Sequence, residues 1–145
     1  MKAAENISAG VAGSVALNLL HEGARHLFGN APHIHEVGEE AISKTARFAG
    51  LNPPKGNALY AVTLASDLLS NSLYYSMIGS AKKKNLLLLG ASYGLAAGLG
   101  ALTLTRPMGL DDEPVNRTTT TKLLTVAWYL AGGIVTALVI KGLRK

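Results

Sequence analysis

Two stretches of this chain carry no charge on any helical face. Residues 85–105, NLLLLGASYGLAAGLGALTLT, have none over 21 positions, and residues 123–140, LLTVAWYLAGGIVTALVI, have none over 18. At about 1.5 Å per residue, roughly 20 apolar residues cross the ~30 Å hydrocarbon core of a bilayer. A helix on the surface of a soluble protein shows a polar face at 3.6-residue spacing, and neither stretch has one. Residues 57–81 form a third such run, with Asp67 as the only charge, and residues 6–28 form a fourth by length, though it ends in polar residues. A soluble four-helix protein rich in Gly and Ala is the competing fold, and it would have to bury two of its helices all round.

The expected fold is therefore an all-α integral membrane protein of one domain, residues 1–145. It is a four-transmembrane-helix bundle with spans at about 6–28, 57–81, 85–105 and 122–141 and outer loops at 29–56 and 106–121. Within the first loop, EVGEEAISKTARFAG reads as a short amphipathic helix, with Val37, Ala41, Ile42, Thr45 and Phe48 toward one face. It would lie on the membrane surface or cap the spans. The polar loop 106–121 ends in a threonine run suited to capping the last span.

A net charge of +5 can signal nucleic-acid binding, but membrane topology accounts for it without a nucleic-acid partner. With both termini cytoplasmic, the inner side carries Lys2, Lys82, Lys83, Lys84, Lys141, Arg144 and Lys145 against one acid, Glu5. The clusters AKKKN and KGLRK abut span ends, as the positive-inside rule requires. The expected location is a bacterial inner membrane, with the lipid bilayer as partner. Tyr74 and Tyr75 toward the inner side, and Trp128 and Tyr129 toward the outer side, are candidate interface anchors.

Gly90, Gly94 and Gly98 recur every four residues, a glycine-zipper pattern that lets another backbone approach closely. Packing within the chain is the plainer use of this stripe, and a homodimer face is the alternative.

The chemistry-bearing residues gather on two spans. All four histidines lie between residues 21 and 35. On the first span Ser14, Asn18, His21, Glu22 and Arg25 fall on one side, and on the second Thr63, Ser66, Asp67, Ser70, Asn71 and Tyr74 do the same. His21 and Asp67 come out at similar depth. A charge at the bilayer centre costs about 3 kcal/mol or more, so such groups need a partner or a water-filled cavity. Asn18, His21, Glu22, Arg25, Asp67 and Asn71 are thus expected to form one polar cluster in an outward-facing pocket between spans one and two. In that cluster Arg25 pairs with Asp67 or holds an anionic head group, and His21 is the titrating group. A ligand, ion or lipid head group is the expected occupant. The alternatives are a non-catalytic scaffold whose polar residues act as interhelical glue, and a small dimeric proton- or ion-coupled transporter.

No cofactor is expected. With no cysteine, thiol chemistry and disulfides are absent. HEGARH lacks the HExxH spacing of metalloproteases, although His26, His33, His35 and Glu36 could together offer imidazole and carboxylate to a divalent metal. Haem would need histidines on facing helices. A serine nucleophile could be drawn from Ser66 or Ser70, but no motif selects one. The reading leans away from an enzyme.

Overall fold

The computed structural model describes residues 2–144; Lys145, counted among the inner basic residues above, lies outside the described residues. The chain is all-helical, with no strand among the described residues. Its elements are α1 (Lys2–Leu27), α2 (Ile34–Phe48), α3 (Gly56–Ser76), α4 (Leu86–Thr103), α5 (Glu113–Asn116) and α6 (Thr119–Leu143). Two 3₁₀ turns, Met77–Ser80 and Lys83–Asn85, join α3 to α4. Two helical segments, Lys83–Thr103 and Thr119–Leu143, are long and apolar enough to cross a membrane. The threonine run starts α6 as expected: Thr121 N–H donates to Thr118 Oγ1 at 3.0 Å, satisfying one of the orphan N–H donors of a helix start.

Four long helices pack side by side. α6 lies between α1 and α4, and α1 lies between α6 and α3. Small residues close each of these seams. Gly10 of α1 abuts the backbone of Ser72 and Ser76 in α3, and Gly13 abuts Thr136 and the Gly132 carbonyl in α6. On α4, a Cβ at Gly90 would stand 2.6 Å from the Gly133 carbonyl oxygen, at Gly94 2.6 Å from the Tyr129 carbonyl oxygen, and at Gly98 2.7 Å from Val126 Cα. The spaced glycines thus face α6 of the same chain, which occupies the stripe that a homodimer would use. Backbones in contact gain dispersion along their whole length.

The seam between α3 and α4 differs, because aromatic rings fill it. Tyr74 and Tyr93 meet at 5.0 Å between centroids, and the Tyr74 hydroxyl donates to the Tyr93 carbonyl at 2.9 Å. Tyr75 points the other way into the core, fully buried, and donates to the Tyr129 carbonyl at 2.8 Å. The Tyr pair thus packs inside the fold. The rings prop the seam, and beyond them α3 and α4 stand apart.

At the opposite end from the 3₁₀ turns, the loops are tied into a roof. Arg117 donates to the carbonyls of Gly29 and Ala31, Thr121 to that of Asn30, and His33 N–H to that of Pro114. Lys44 reaches the carbonyl of Gly109, whose φ of 78° forms the turn there. α2 packs on α3 through the side that carries Gly38. Phe48, expected on the apolar face of α2, is almost wholly exposed at 96%.

If the glycine seams set the helix spacing, Gly94→Val should cost about 2–3 kcal/mol through overpacking. Gly23→Ala, where nothing lies within 4 Å, should change stability by no more than about 1 kcal/mol. Thermal melting of the detergent-purified variants by circular dichroism checks this, and equal melting temperatures would contradict it.

Candidate functional site

Helical geometry divides the expected polar cluster. Consecutive helix residues are about 100° apart, so the neighbours His21 and Glu22 face different partners. His21 turns toward α6. It is buried at 6% exposure, and its ring meets Tyr129 edge-on at 5.6 Å between centroids. Both His21 ring nitrogens are buried without a hydrogen-bond partner among the described residues. Glu22 turns the other way, where both Arg25 Nε and a terminal guanidinium nitrogen donate to its Oε1, the former at 2.8 Å. Arg25 also stacks over the Tyr60 ring at 5.8 Å.

Arg25 is therefore not the partner of Asp67. The expected pairing rests on α1 and α3 being neighbours, which they are. In the structure Arg25 stays with Glu22, one turn away on its own helix, beside Tyr60 at the start of α3. Asp67 lies seven residues further along α3, about 10 Å deeper at helical rise. Asn18 spends its amide on the Ser14 carbonyl at 2.9 Å. Asn18 and Glu22 do border a groove of about 220 Å³ between α1 and α3, with Tyr60, but its other walls are apolar.

Asp67 faces a different space. It lines a cavity of about 280 Å³ enclosed by α2, α3, α4 and α6, with Tyr129, Thr105, Gly100 and Ala101 among its walls. Ile34, Val37 and Ala41 of α2, with Met108 and Leu110 of the following loop, form the roof. Gly38 lets that roof come close: a Cβ there would meet Thr63 Cγ2 at 2.6 Å and would stand 4.0 Å from both Asp67 carboxylate oxygens. The cavity continues past Gly100, Ala101, Leu104 and Tyr129 into a cleft of about 490 Å³ between α3 and α4, which adds Asn71 and Tyr74. Asp67 makes no ion pair or side-chain hydrogen bond among the described residues. The structure thus brings together Asp67, Asn71, Tyr74 and Tyr129, with His21 behind Tyr129.

Tyr129 is the residue that sequence reasoning missed. The sequence suggests an interface anchor there, although Tyr129 lies seven residues inside the expected start of the last span, too deep for a belt position. That misfit in depth was the available signal.

The remaining histidines sit outside the cleft. His33 pairs with Glu36 at 2.9 Å, and its ring stacks on His35 at 5.7 Å. His35 meets Tyr60 edge-on at 6.1 Å, while His26 lies 3.6 Å from Glu22. Among the described residues no group of three or more His, Cys, Asp or Glu is placed to hold a metal, so His26, His33, His35 and Glu36 do not converge on one point.

Two groups on α2 report on the roof. The Lys44 ammonium and the Asp111 N–H, the latter at 2.7 Å, hold the Glu40 carboxylate below its ordinary range. Burial, and then the nearby Arg25 charge, lower His35 below its ordinary 6.5, against the pull of Glu36 and Glu39. The unfolded chain therefore binds more protons at His35 as pH falls below about 6.5, and the seating of α2 weakens in that direction. In an NMR titration His35 should show a midpoint below 6.5, and Arg25→Gln should move it upward. An unmoved midpoint would contradict the placement of Arg25 beside His35.

Comparison with protein-family models, curated proteins and solved structures finds no match, and the functional reading therefore rests on the chemistry of the cleft.

Proposed function

We propose that this is a four-span membrane protein, with α1, α3, α4 and α6 crossing the bilayer and both termini cytoplasmic, whose outer cleft binds a small organic cation. The membrane part of this reading is supported by the apolar exterior. Large apolar residues face outward on every long helix, including Leu19 (68% exposed), Leu69 (64%), Leu88 (72%) and Leu138 (51%). The interior holds Ser14, Thr63, Ser72, Thr121, Thr125 and Thr136 beside an apolar core of Leu17, Tyr75, Ile78, Leu86 and Ile140. Small polar residues inside and leucine outside is the pattern of helices packed in lipid, where close approach and hydrogen bonding replace the hydrophobic drive. So much exposed apolar surface is foreign to soluble monomers.

The observation that carries the ligand is Asp67, a carboxylate on a cavity wall without a cation beside it. A half-buried carboxylate without a partner is satisfied either by a proton or by a cation, and an ammonium group supplies the second. Tyr129 lines the same cavity, and an aromatic ring attracts cations held within about 6 Å. The apolar roof from α2 suits the alkyl part of such a ligand. The scaffold alternative is less well supported, since interhelical glue would leave Asp67 bonded within the protein. Transport is less well supported too, because the Tyr74–Tyr93 contact blocks the seam on the inner side of the cleft. Nothing in the cleft pairs a nucleophile with a base, so the reading remains a binding protein without catalysis.

Calorimetric titration of the detergent-purified chain with choline, and with its neutral isostere 3,3-dimethylbutanol, tests the proposal. Choline should bind saturably and the isostere should not. Asp67→Asn should weaken choline at least about tenfold, the scale of one lost charge interaction, while Asp67→Glu should retain it. Equal binding of the neutral isostere, or unchanged binding in Asp67→Asn, would refute the assignment.

A further inference from the structure

The opposite end of the molecule carries a second concavity, independent of the Asp67 cleft. α1 begins there, α3 runs into its 3₁₀ turn there, and α6 ends there. A cavity of about 500 Å³ is lined by Lys2, Lys82, Lys83 and Arg144, together with the backbone segment 79–81. No acid lines it. None of these four cations forms an ion pair among the described residues.

One wall is rigidly built. Arg144 donates to Asn6 Oδ1 at 2.8 Å, to the Gly79 carbonyl at 2.5 Å and to the Ala81 carbonyl at 3.2 Å. Lys83 donates to the Arg144 carbonyl at 2.7 Å. The guanidinium thus ties three helix ends together, yet its Nε is buried with no acceptor among the described residues. Asn6 packs so closely on Gly79 that no side chain would fit at that position. Four like charges around one concavity repel each other, and a low-dielectric wall focuses their field on whatever anion enters. The ammonium groups of Lys2, Lys82 and Lys83, backed by the fixed charge of Arg144, suit the oxygens of a phosphate.

We infer that this inner basic cavity binds the phosphate head group of an anionic phospholipid of the cytoplasmic leaflet. Basic pockets between helices on that side are the usual seat of such head groups. The seam beside the cavity turns apolar within two turns: Ile7 follows Asn6 and is 51% exposed, and Met77 precedes Gly79 and is 55% exposed. Both offer surface to acyl chains. The inference rests on the membrane reading but not on the ligand of the outer cleft.

Native mass spectrometry of the full chain, released from mild detergent with equimolar phosphatidylglycerol and phosphatidylcholine, is the test. Phosphatidylglycerol should be retained in preference, and Lys82→Gln/Lys83→Gln should reduce its retention about tenfold or more. Lys55→Gln/Lys122→Gln removes the same charge outside the cavity and should leave retention unchanged. If the first double variant does not fold, Lys2→Gln/Lys82→Gln, both on exposed side chains, gives the same reading. Equal retention of both lipids, or equal losses in inner and outer variants, would overturn the inference. Displacement of the lipid by millimolar inorganic phosphate would also overturn it, in favour of a free anion. A chain that stays soluble without detergent would refute the membrane reading itself, which separates the two failures.

Discussion

The contact of backbone on backbone through glycine is what the rest of this structure depends on. Gly90, Gly94 and Gly98 bring α4 down onto α6, and Gly10 and Gly13 bring α1 onto both α3 and α6. Three seams are thereby closed to a distance that no larger side chain would permit. The fourth, between α3 and α4, holds tyrosines, and a ring cannot be compressed. The cleft follows from this inequality. Helices drawn tightly to α1 and α6 on one side cannot also close on each other across Tyr74 and Tyr93 on the other.

The position of Asp67 matters for the same reason. A carboxylate on any of the three glycine-lined seams would be crushed against backbone carbonyls. On the open seam it has space, an aromatic wall in Tyr129 and a roof that approaches because position 38 is glycine. The loops secure that roof through Lys44, Gly109 and the Glu40–Asp111 contact, which join α2 to the segment after α4. His21 is the counterpart on the closed side. It is buried against Tyr129, with neither ring nitrogen bonded among the described residues. It backs the Tyr129 ring at the wall of the cleft.

Much of the helical layout was legible in the sequence, since each uncharged run became one helix within a few residues of its expected limits. The short helix of the first loop was legible from its periodicity, and the cap of α6 from its threonines. That α1 and α3 are neighbours was legible from their connection, and the two helices do pack together; that α6 lies between α1 and α4 was not, because small-residue stripes are compatible with several arrangements. The errors at the site come from which face of α1 meets which neighbour. The stripe on α1 looked like one face but spans about 100°, enough to serve two neighbours. Arg25 had a carboxylate within its own helical turn, a short-range pairing that costs less chain ordering than one across helices. Phe48 fitted the apolar face of α2 by spacing, yet it lies at the last turn, past the part of the helix that packs on α3.

The openness and charge preference of the cleft are tested most directly by placing one thiol in its wall. The chain has no cysteine, so Ala101→Cys, on a residue that lines both the cavity and the cleft, would carry the only reactive sulfur. Membrane-impermeant methanethiosulfonates of similar size, one bearing trimethylammonium and one bearing sulfonate, are applied from outside to cells expressing this variant. The cationic reagent should react faster, and Asp67→Asn in the same background should abolish the difference. No labelling from outside, or equal rates for the two reagents with Asp67 in place, would contradict an outward-facing cleft selective for cations.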